Sequence, residues 1–212
     1  NVSGSPFYDR PGNWHSQVGQ DRHVFTALAQ RTGGYFVDLA ANDPIKYSNT
    51  RTLERDHGWS GVCIDGNPRL LEKLAVERTC RVVRAVVTDE SGKEIQFTAP
   101  VQQGSWEDTM GGVVSESTDN RVRRPAYANR QWKVEKHTTV TLIEILQHVK
   151  APPVIDYLSL DVREPCLWSR TSVSPHSSPP HASRLLVTFG RLRALSTTRC
   201  EPLTSARIAS KR

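Results

Sequence analysis

Hydrophobic positions along this chain fall into two patterns, which alternate from residue 16 to residue 162. Short continuous apolar and β-branched runs, such as residues 35–40 and 61–65, are typical of buried strands. Apolar residues at helical spacing, such as those of residues 140–149, indicate helices with one buried face. In chain order the pattern predicts a helix ending before Gly33, a strand over 35–40, a helix over 50–57, a strand over 61–65, a helix beginning at Pro68, strands over 82–88 and 95–98, a helix over 140–149 and a strand over 155–162.

Buried strands that alternate with helices predict an α/β fold with a doubly wound, mostly parallel sheet. The Gly- and Pro-rich residues 1–15 are predicted to form an irregular lead-in, and residues 16–162 to form the α/β domain. Residues 99–133 are polar and are interpreted as a long loop. Because the first residue is Asn, we expect an N-terminus that is processed or incomplete.

The net charge of +6 is unevenly distributed, and this argues against a nucleic-acid partner. Residues 162–212 hold nine Lys and Arg against two Asp and Glu, whereas the other 161 residues hold 19 against 20. The predicted α/β domain therefore has no basic face for a phosphate backbone. No apolar run approaches the roughly 18 residues that span a bilayer, so we predict no membrane span.

Acidic and amide residues follow each predicted strand. Parallel strands present their carboxyl ends at one edge of the sheet, which is where α/β proteins bind ligands. We therefore expect a site at this edge, although Asp and Asn after a strand are also common turn formers. The candidates are Asp38 and Asn42 at the end of the first strand, Asp65 and Asn67 at the end of the second, Asp89 at the end of the third and Asp161 in the last.

The residues around the first two strands indicate a nucleoside ligand without phosphate. Asp65 lies 27 residues after Asp38, near the roughly 20-residue interval of a ribose-binding carboxylate. Ala40 and Ala41 are small enough to allow close approach of a ligand. No G-x-G-x-x-G loop is present to bind a pyrophosphate. These features favour S-adenosylmethionine as the cofactor over NAD, the cofactor of the alternative reading as a dehydrogenase.

Five ordered segments then resemble the FkbM-type methyltransferases, which have the Rossmann-like class I S-adenosylmethionine-dependent fold. The resemblance covers residues 16–162. The segments are Ser16-Gln-Val-Gly-Gln-Asp21, Gly34-Tyr-Phe-Val-Asp-Leu-Ala-Ala-Asn-Asp43, Ser48-Asn-Thr50, Gly58-Trp-Ser-Gly-Val-Cys-Ile-Asp-Gly-Asn-Pro68 and Tyr157-Leu-Ser-Leu-Asp-Val162. The family usually has Gly where Ala40 and Pro44 stand in this chain.

The resemblance implies roles for individual residues. Those of 38–42, with Asp38, Ala40, Ala41 and Asn42, would form the cofactor loop. Asp65, followed by Asn67, would bind the ribose hydroxyls; Val87 and Asp89 would lie near the adenine; and Asp161 would face the methyl-transfer centre. The residues expected to close over the cofactor are Gln17, Gln20, Asp21, Asn49 and Thr50.

The implied reaction is O-methylation of a hydroxyl group on a small molecule or carbohydrate. A base would assist by removing the hydroxyl proton, and the histidines at 57, 137 and 148 are candidates by residue type. No Cys or His pair has the spacing of a zinc site, and we predict no metal. Cys63 and Cys80 are expected to be small buried hydrophobic residues. Nothing in the sequence indicates the subcellular site or the oligomeric state.

The resemblance stops at residue 162, where the composition changes. Residues 162–212 contain nine Ser, eight Arg, five Thr and five Pro, which is typical of a disordered segment. We interpret residues 163–212 as mistranslated sequence, with a genuine basic tail as the alternative. On this interpretation the sheet is truncated after its fourth motif strand, and the strand at 155–162 has an exposed edge. A catalytically inactive methyltransferase-like protein that binds the cofactor weakly is the alternative function.

Overall fold

The structure is a computed structural model that describes residues 14–101, 111–114, 131–160 and 186–189. The helices within these residues are α1 (Gln20–Ala27), α2 (Arg51–His57), α3 (Pro68–Glu77) and α4 (Leu142–His148). The strands are β1 (Tyr35–Leu39), β2 (Ser60–Asp65), β3 (Arg81–Arg84), β4 (Val86–Val87), β5 (Glu94–Pro100), β6 (Gly112–Val113), β7 (Trp132–Val140), β8 (Tyr157–Leu160) and β9 (Leu186–Phe189). In the part of the chain described, no helix has the length and apolar character needed to cross a membrane.

Five strands form a parallel sheet in the order β3-β2-β1-β8-β9, which confirms the predicted α/β fold with a mostly parallel sheet. The chain order reverses between β1 and β8. In open α/β sheets this switch point opens a crevice beyond the carboxyl ends of the two strands. The topology thus marks one place on the sheet edge where a ligand site is expected.

Helices cover both faces of the parallel sheet. Successive side chains of a strand point to opposite faces, so β1 places Phe36 against α1, α2 and α3 and its neighbour Val37 against α4. The first face also carries Cys63 and Tyr157, which are fully buried. This double burial explains why β1, β2 and β8 are continuous apolar runs rather than alternating ones.

The chain after β3 leaves the parallel sheet, which the sequence did not predict. The predicted single strand over 82–88 is divided into β3 and β4, and β4 belongs to a second sheet of order β4-β7-β5-β6. In that sheet β5 pairs antiparallel with β7 from Glu94–Thr138 to Pro100–Trp132. The nine-residue β7 was not predicted: its first two residues fall in the predicted loop over 99–133, its last begins the predicted helix over 140–149, and no element was predicted between them. Its side chains are largely polar and solvent-facing.

Helix α4 begins with a reciprocal cap. The Thr141 hydroxyl accepts a hydrogen bond from the Glu144 amide, and the Glu144 carboxylate accepts one from the Thr141 amide. The same carboxylate accepts a hydrogen bond from the Ser91 hydroxyl. These hydrogen bonds, that of Ser91 foremost, lower the pKa of Glu144 from its usual value. The cap connects the helix to the turn that follows β4.

Cys63 and Cys80 form a disulfide across a separation of 17 residues, with Cα atoms 6.0 Å apart. Both are buried, as expected of small hydrophobic residues, but their pairing was not predicted. Cys63 lies in β2 and Cys80 directly precedes β3, so the two strands that flank α3 are covalently joined. The sequence has no pairing signal, because four cysteines in 212 residues leave the partners open.

The strand β8 has a neighbour on each side, contrary to the expectation of an exposed edge. Its residues from Tyr157 to Leu160 pair in parallel with Leu186–Phe189 of β9. The tail predicted to be disordered therefore contributes a strand at these four residues. The remainder of 163–212 lies outside the described residues, as do residues 1–13, and the proposed division at residue 162 stays a prediction.

Candidate functional site

Polar side chains from two strands and one turn meet at the switch point. Asp38 of β1 is opposite Ser159 of β8 in the sheet register, and both residues are on the face covered by α1, α2 and α3. The Thr50 hydroxyl donates a hydrogen bond to Asp38 Oδ2 at 2.7 Å. Asn49 Nδ2 donates one to Ser159 Oγ at 3.1 Å. The turn before α2 is thereby fastened to both strands that flank the crevice.

The loop after β1 turns sharply at the edge of the sheet. Ala40 and Asn42 have φ values of 61° and 58°, in the left-handed region that favours glycine. Between them the Ala41 amide donates to Ile64 O at 3.0 Å, and its methyl group joins the core. Two left-handed residues fold the backbone back over the strand end. The small side chains at 40 and 41 leave this backbone open to close approach.

Asp65, at the end of β2, organises the neighbouring loop. Its Oδ2 accepts a hydrogen bond from the Asn42 amide at 3.0 Å, and its Oδ1 accepts one from the Asn67 amide at 2.8 Å. The same residue thus joins the loops after β1 and β2.

Gly66 brings the second sheet against this loop. A Cβ atom at Gly66 would lie 2.8 Å from Cε2 of Phe97, so only glycine allows the β5 aromatic ring this close. The His137 ring packs at 5.2 Å from the Phe97 ring centroid, on the side of the second sheet. The second sheet therefore packs against the Asp65 loop.

Two buried amide atoms at this edge have no hydrogen-bond partner among the described residues. Asn49 Oδ1 is an acceptor, and Asn67 Nδ2 is a donor. The two residues are 7% and 2% exposed. Buried polar atoms are almost always satisfied by protein, water or ligand. One orphan acceptor and one orphan donor fit a ligand that carries both kinds of polar group.

Asp21 lies beside the site but serves the local structure. It is fully buried, and its Oδ2 accepts hydrogen bonds from the His15 and Ser16 amides at 2.8 and 3.1 Å and from the Thr52 hydroxyl at 3.2 Å. Ser16 also forms a bridge with Tyr47. These bonds fasten the turn to α2, and the expected place of Asp21 over the cofactor stays a prediction.

The other predicted site residues are more scattered. Gln17 is half-buried in the Asp21 turn, and Gln20 Oε1 accepts a hydrogen bond from the Val18 amide. Val87 packs towards the core under α4, and Asp89 is half-buried in the turn after β4. Asp161 lies outside the described residues. The switch point brings together Asp38, Asn42, Asn49, Thr50, Asp65 and Asn67.

The histidines proposed as bases are at different ends of the sheet. His57 stacks on Phe25 with ring centroids 3.8 Å apart, and its carbonyl oxygen accepts a bond from Gly33 just before β1. His148 ends α4, where the chain returns towards the start of β8. Both are at the amino ends of the strands, so His137 is the one of the three on the side of the Asp65 loop.

The sequence analysis missed a buried ion pair behind the turn. Arg78 Nε bonds Glu54 Oε2, and both side chains are buried. No motif or spacing indicates this pair, because Glu54 is in α2 and Arg78 follows α3. In the described ranges, no group of three or more His, Cys, Asp or Glu side chains is placed to hold a metal ion.

Fold and site together define an α/β protein with a mostly parallel sheet and with acid and amide side chains at its switch point, where open α/β sheets form a crevice. Comparisons with known protein families, with curated proteins and with solved structures find no match to this chain.

Proposed function

We propose that the chain is an S-adenosylmethionine-dependent methyltransferase that transfers a methyl group to a hydroxyl of a small molecule or carbohydrate. The observation that carries this proposal is the switch-point crevice. Two buried carboxylates, Asp38 and Asp65, end adjacent parallel strands there without a glycine-rich phosphate loop. Such an edge suits a nucleoside with a cationic or hydroxyl-rich side and no pyrophosphate.

The residues of the crevice have the donors and acceptors that this cofactor needs. Asp65, by the resemblance, would accept hydrogen bonds from the ribose hydroxyls. Asp38 and the orphan Asn49 Oδ1 are acceptors for an ammonium or hydroxyl donor, and Asn67 Nδ2 is a donor for a ring nitrogen or carboxylate. The resemblance of residues 16–162 to FkbM-type enzymes supports the same roles.

When bound, S-adenosylmethionine supplies an electrophilic sulfonium methyl group, so the protein mainly aligns an acceptor and excludes water. The left-handed loop at Ala40 and Asn42 would allow its backbone to approach the ligand closely. Asp161, by its place in the motif, is proposed to face the acceptor hydroxyl. His137 is a candidate base that would act from the side of the second sheet.

Isothermal titration of the full chain with S-adenosylhomocysteine and, separately, with NAD tests the proposal. We expect S-adenosylhomocysteine to bind more tightly, because the crevice offers carboxylates where a pyrophosphate needs bare amides. Tighter binding of NAD would favour a dehydrogenase and overturn the proposal. Binding of S-adenosylhomocysteine without methyl transfer to any hydroxyl acceptor would instead favour the inactive methyltransferase-like alternative.

A further inference from the structure

A buried arginine lies behind the site turn with almost every donor engaged. Arg78 is 6% exposed, and its ion-pair partner Glu54 is 8% exposed. Arg78 Nη1 donates to Ser48 Oγ at 3.0 Å, and Nη2 donates to Thr50 Oγ1 at 2.8 Å. The guanidinium thus donates hydrogen bonds to both ends of the turn 48–50, whose middle residue is Asn49.

The carboxylate of Glu54 is equally committed. Its Oε1 accepts hydrogen bonds from the Thr79 amide, the Thr79 hydroxyl and the Cys80 amide, each at 2.6 Å. Glu54 therefore holds the chain just after Arg78, while its Oε2 holds the guanidinium. Arg78 cannot move without breaking its bonds to the turn and to Glu54. The Phe36 ring packs over the guanidinium, with the ring centroid 5.8 Å from Arg78 Cζ.

Hydrogen bonds through the turn 48–50 connect Arg78 to the crevice. The Thr50 hydroxyl accepts from Arg78 and donates to Asp38 Oδ2. Ser48 Oγ accepts from Arg78 and from the Arg51 amide at 3.2 Å. A buried ion pair contributes little net stability compared with apolar side chains of similar volume. The role of the ion pair here is to fix the position of the turn, because only the planar fork of arginine reaches Glu54, Ser48 and Thr50 at once.

We propose that Arg78 is a positioning residue, which orients the Asn49 amide and the Asp38 carboxylate towards a ligand in the crevice through Ser48 and Thr50. The proposal rests on the proposed function for the identity of that ligand. It gives a role in the site to a residue that does not contact the ligand. Neither a sequence motif nor a position at the end of a strand indicates this role. Lysine at this place keeps the positive charge beside Glu54 but loses the fork.

The test is the R78K variant of the full chain, with R31K as the matched control. Arg31 pairs with the buried Asp156 at the opposite, amino edge of the same sheet. We expect R78K to weaken S-adenosylhomocysteine binding about tenfold, the scale of one lost charged hydrogen bond. R31K should leave the dissociation constant unchanged. Equal affinities of R78K and the parent would overturn the proposal.

Hydrogen exchange of the ligand-free protein gives a second readout that does not depend on the cofactor. In R78K, exchange of the Thr50 and Arg51 amides, which bond Ser48 Oγ, should be faster, while the amides of β1 and β2 keep their protection. Unchanged exchange at the turn would overturn the proposal. If the parent chain binds no S-adenosylhomocysteine, the proposed function fails and this measurement alone decides whether Arg78 orders the turn.

If R78K does not fold, S48A takes its place, because alanine removes the hydroxyl that accepts from Arg78 Nη1 and Ser48 is not among the residues expected to contact the cofactor. Weaker binding at an unchanged melting temperature would support the proposal. Binding equal to that of the parent would contradict it.

Discussion

Ala40 occupies a backbone conformation that costs an ordinary side chain about 1–2 kcal/mol, since its φ is 61°. We expect A40G to raise the free energy of unfolding by about 0.5–1 kcal/mol, because the relief of strain exceeds the entropy that glycine adds to the unfolded chain. Urea denaturation measures this change.

The control is A41G, one residue further on. The Ala41 methyl is in the core and its φ is not in the left-handed region, so A41G should lower the free energy of unfolding by about 1 kcal/mol. Destabilisation of the same size in both variants would contradict the strain argument.

Asp65 is the residue on which cofactor recognition is proposed to depend most. We expect D65N to weaken binding of S-adenosylmethionine by about 1–3 kcal/mol, because the amide loses the charge and half of the acceptor sites offered to the ribose. D89N is the comparison and should cost less, because Asp89, half-buried in the turn after β4, is expected near the adenine, whose recognition is shared with backbone and apolar contacts. Isothermal titration of both variants measures the difference, and an equal loss in the two would refute the assignment of the ribose to Asp65.

At the scale of elements, the polar residues of the site show which side chains a sequence pattern can predict and which it cannot. Asp38, Asn42, Asp65 and Asn67 were predicted as site residues because each follows a recognisable strand, and parallel strands end at one edge. Arg78 could not be predicted, because its partners come from three other segments. The strand β7 was missed because it is largely exposed. An exposed strand needs few apolar residues, so its sequence lacks the pattern that predicts a strand.

The disulfide between β2 and the start of β3 is an element-scale feature with a measurable effect. We expect the double variant C63A/C80A to lose about 3 kcal/mol of unfolding free energy, the entropic value of closing a loop of this length. Thermal and urea denaturation measure the loss. A reductant should lower the melting temperature of the parent chain and leave that of the double variant unchanged. Equal melting temperatures of parent and variant would show that the two cysteines are not joined.

At the scale of the whole molecule, the parallel sheet depends on a strand from the basic tail. Since β9 covers the outer edge of β8, a chain that ends at residue 160 should expose the backbone groups of an apolar strand and aggregate. A chain that ends at residue 190 keeps β9 and should remain dispersed. Dynamic light scattering of the two truncated chains measures the difference. The same particle size for both would mean that β9 does not protect this edge.

The sequence by itself determined the local features of this protein. The continuous apolar runs of β1, β2 and β8 follow from burial on both faces, and with the helices between them they specify a mostly parallel α/β sheet. The same pattern locates the acids at the ends of the strands. Only the tertiary structure decided the departure of β4 into a second sheet, the Cys63–Cys80 bond, the pairing of β9 and the link from Glu54 through Arg78 to the site turn. Each joins segments far apart in the chain, and such contacts depend on how whole elements pack, which no local periodicity records.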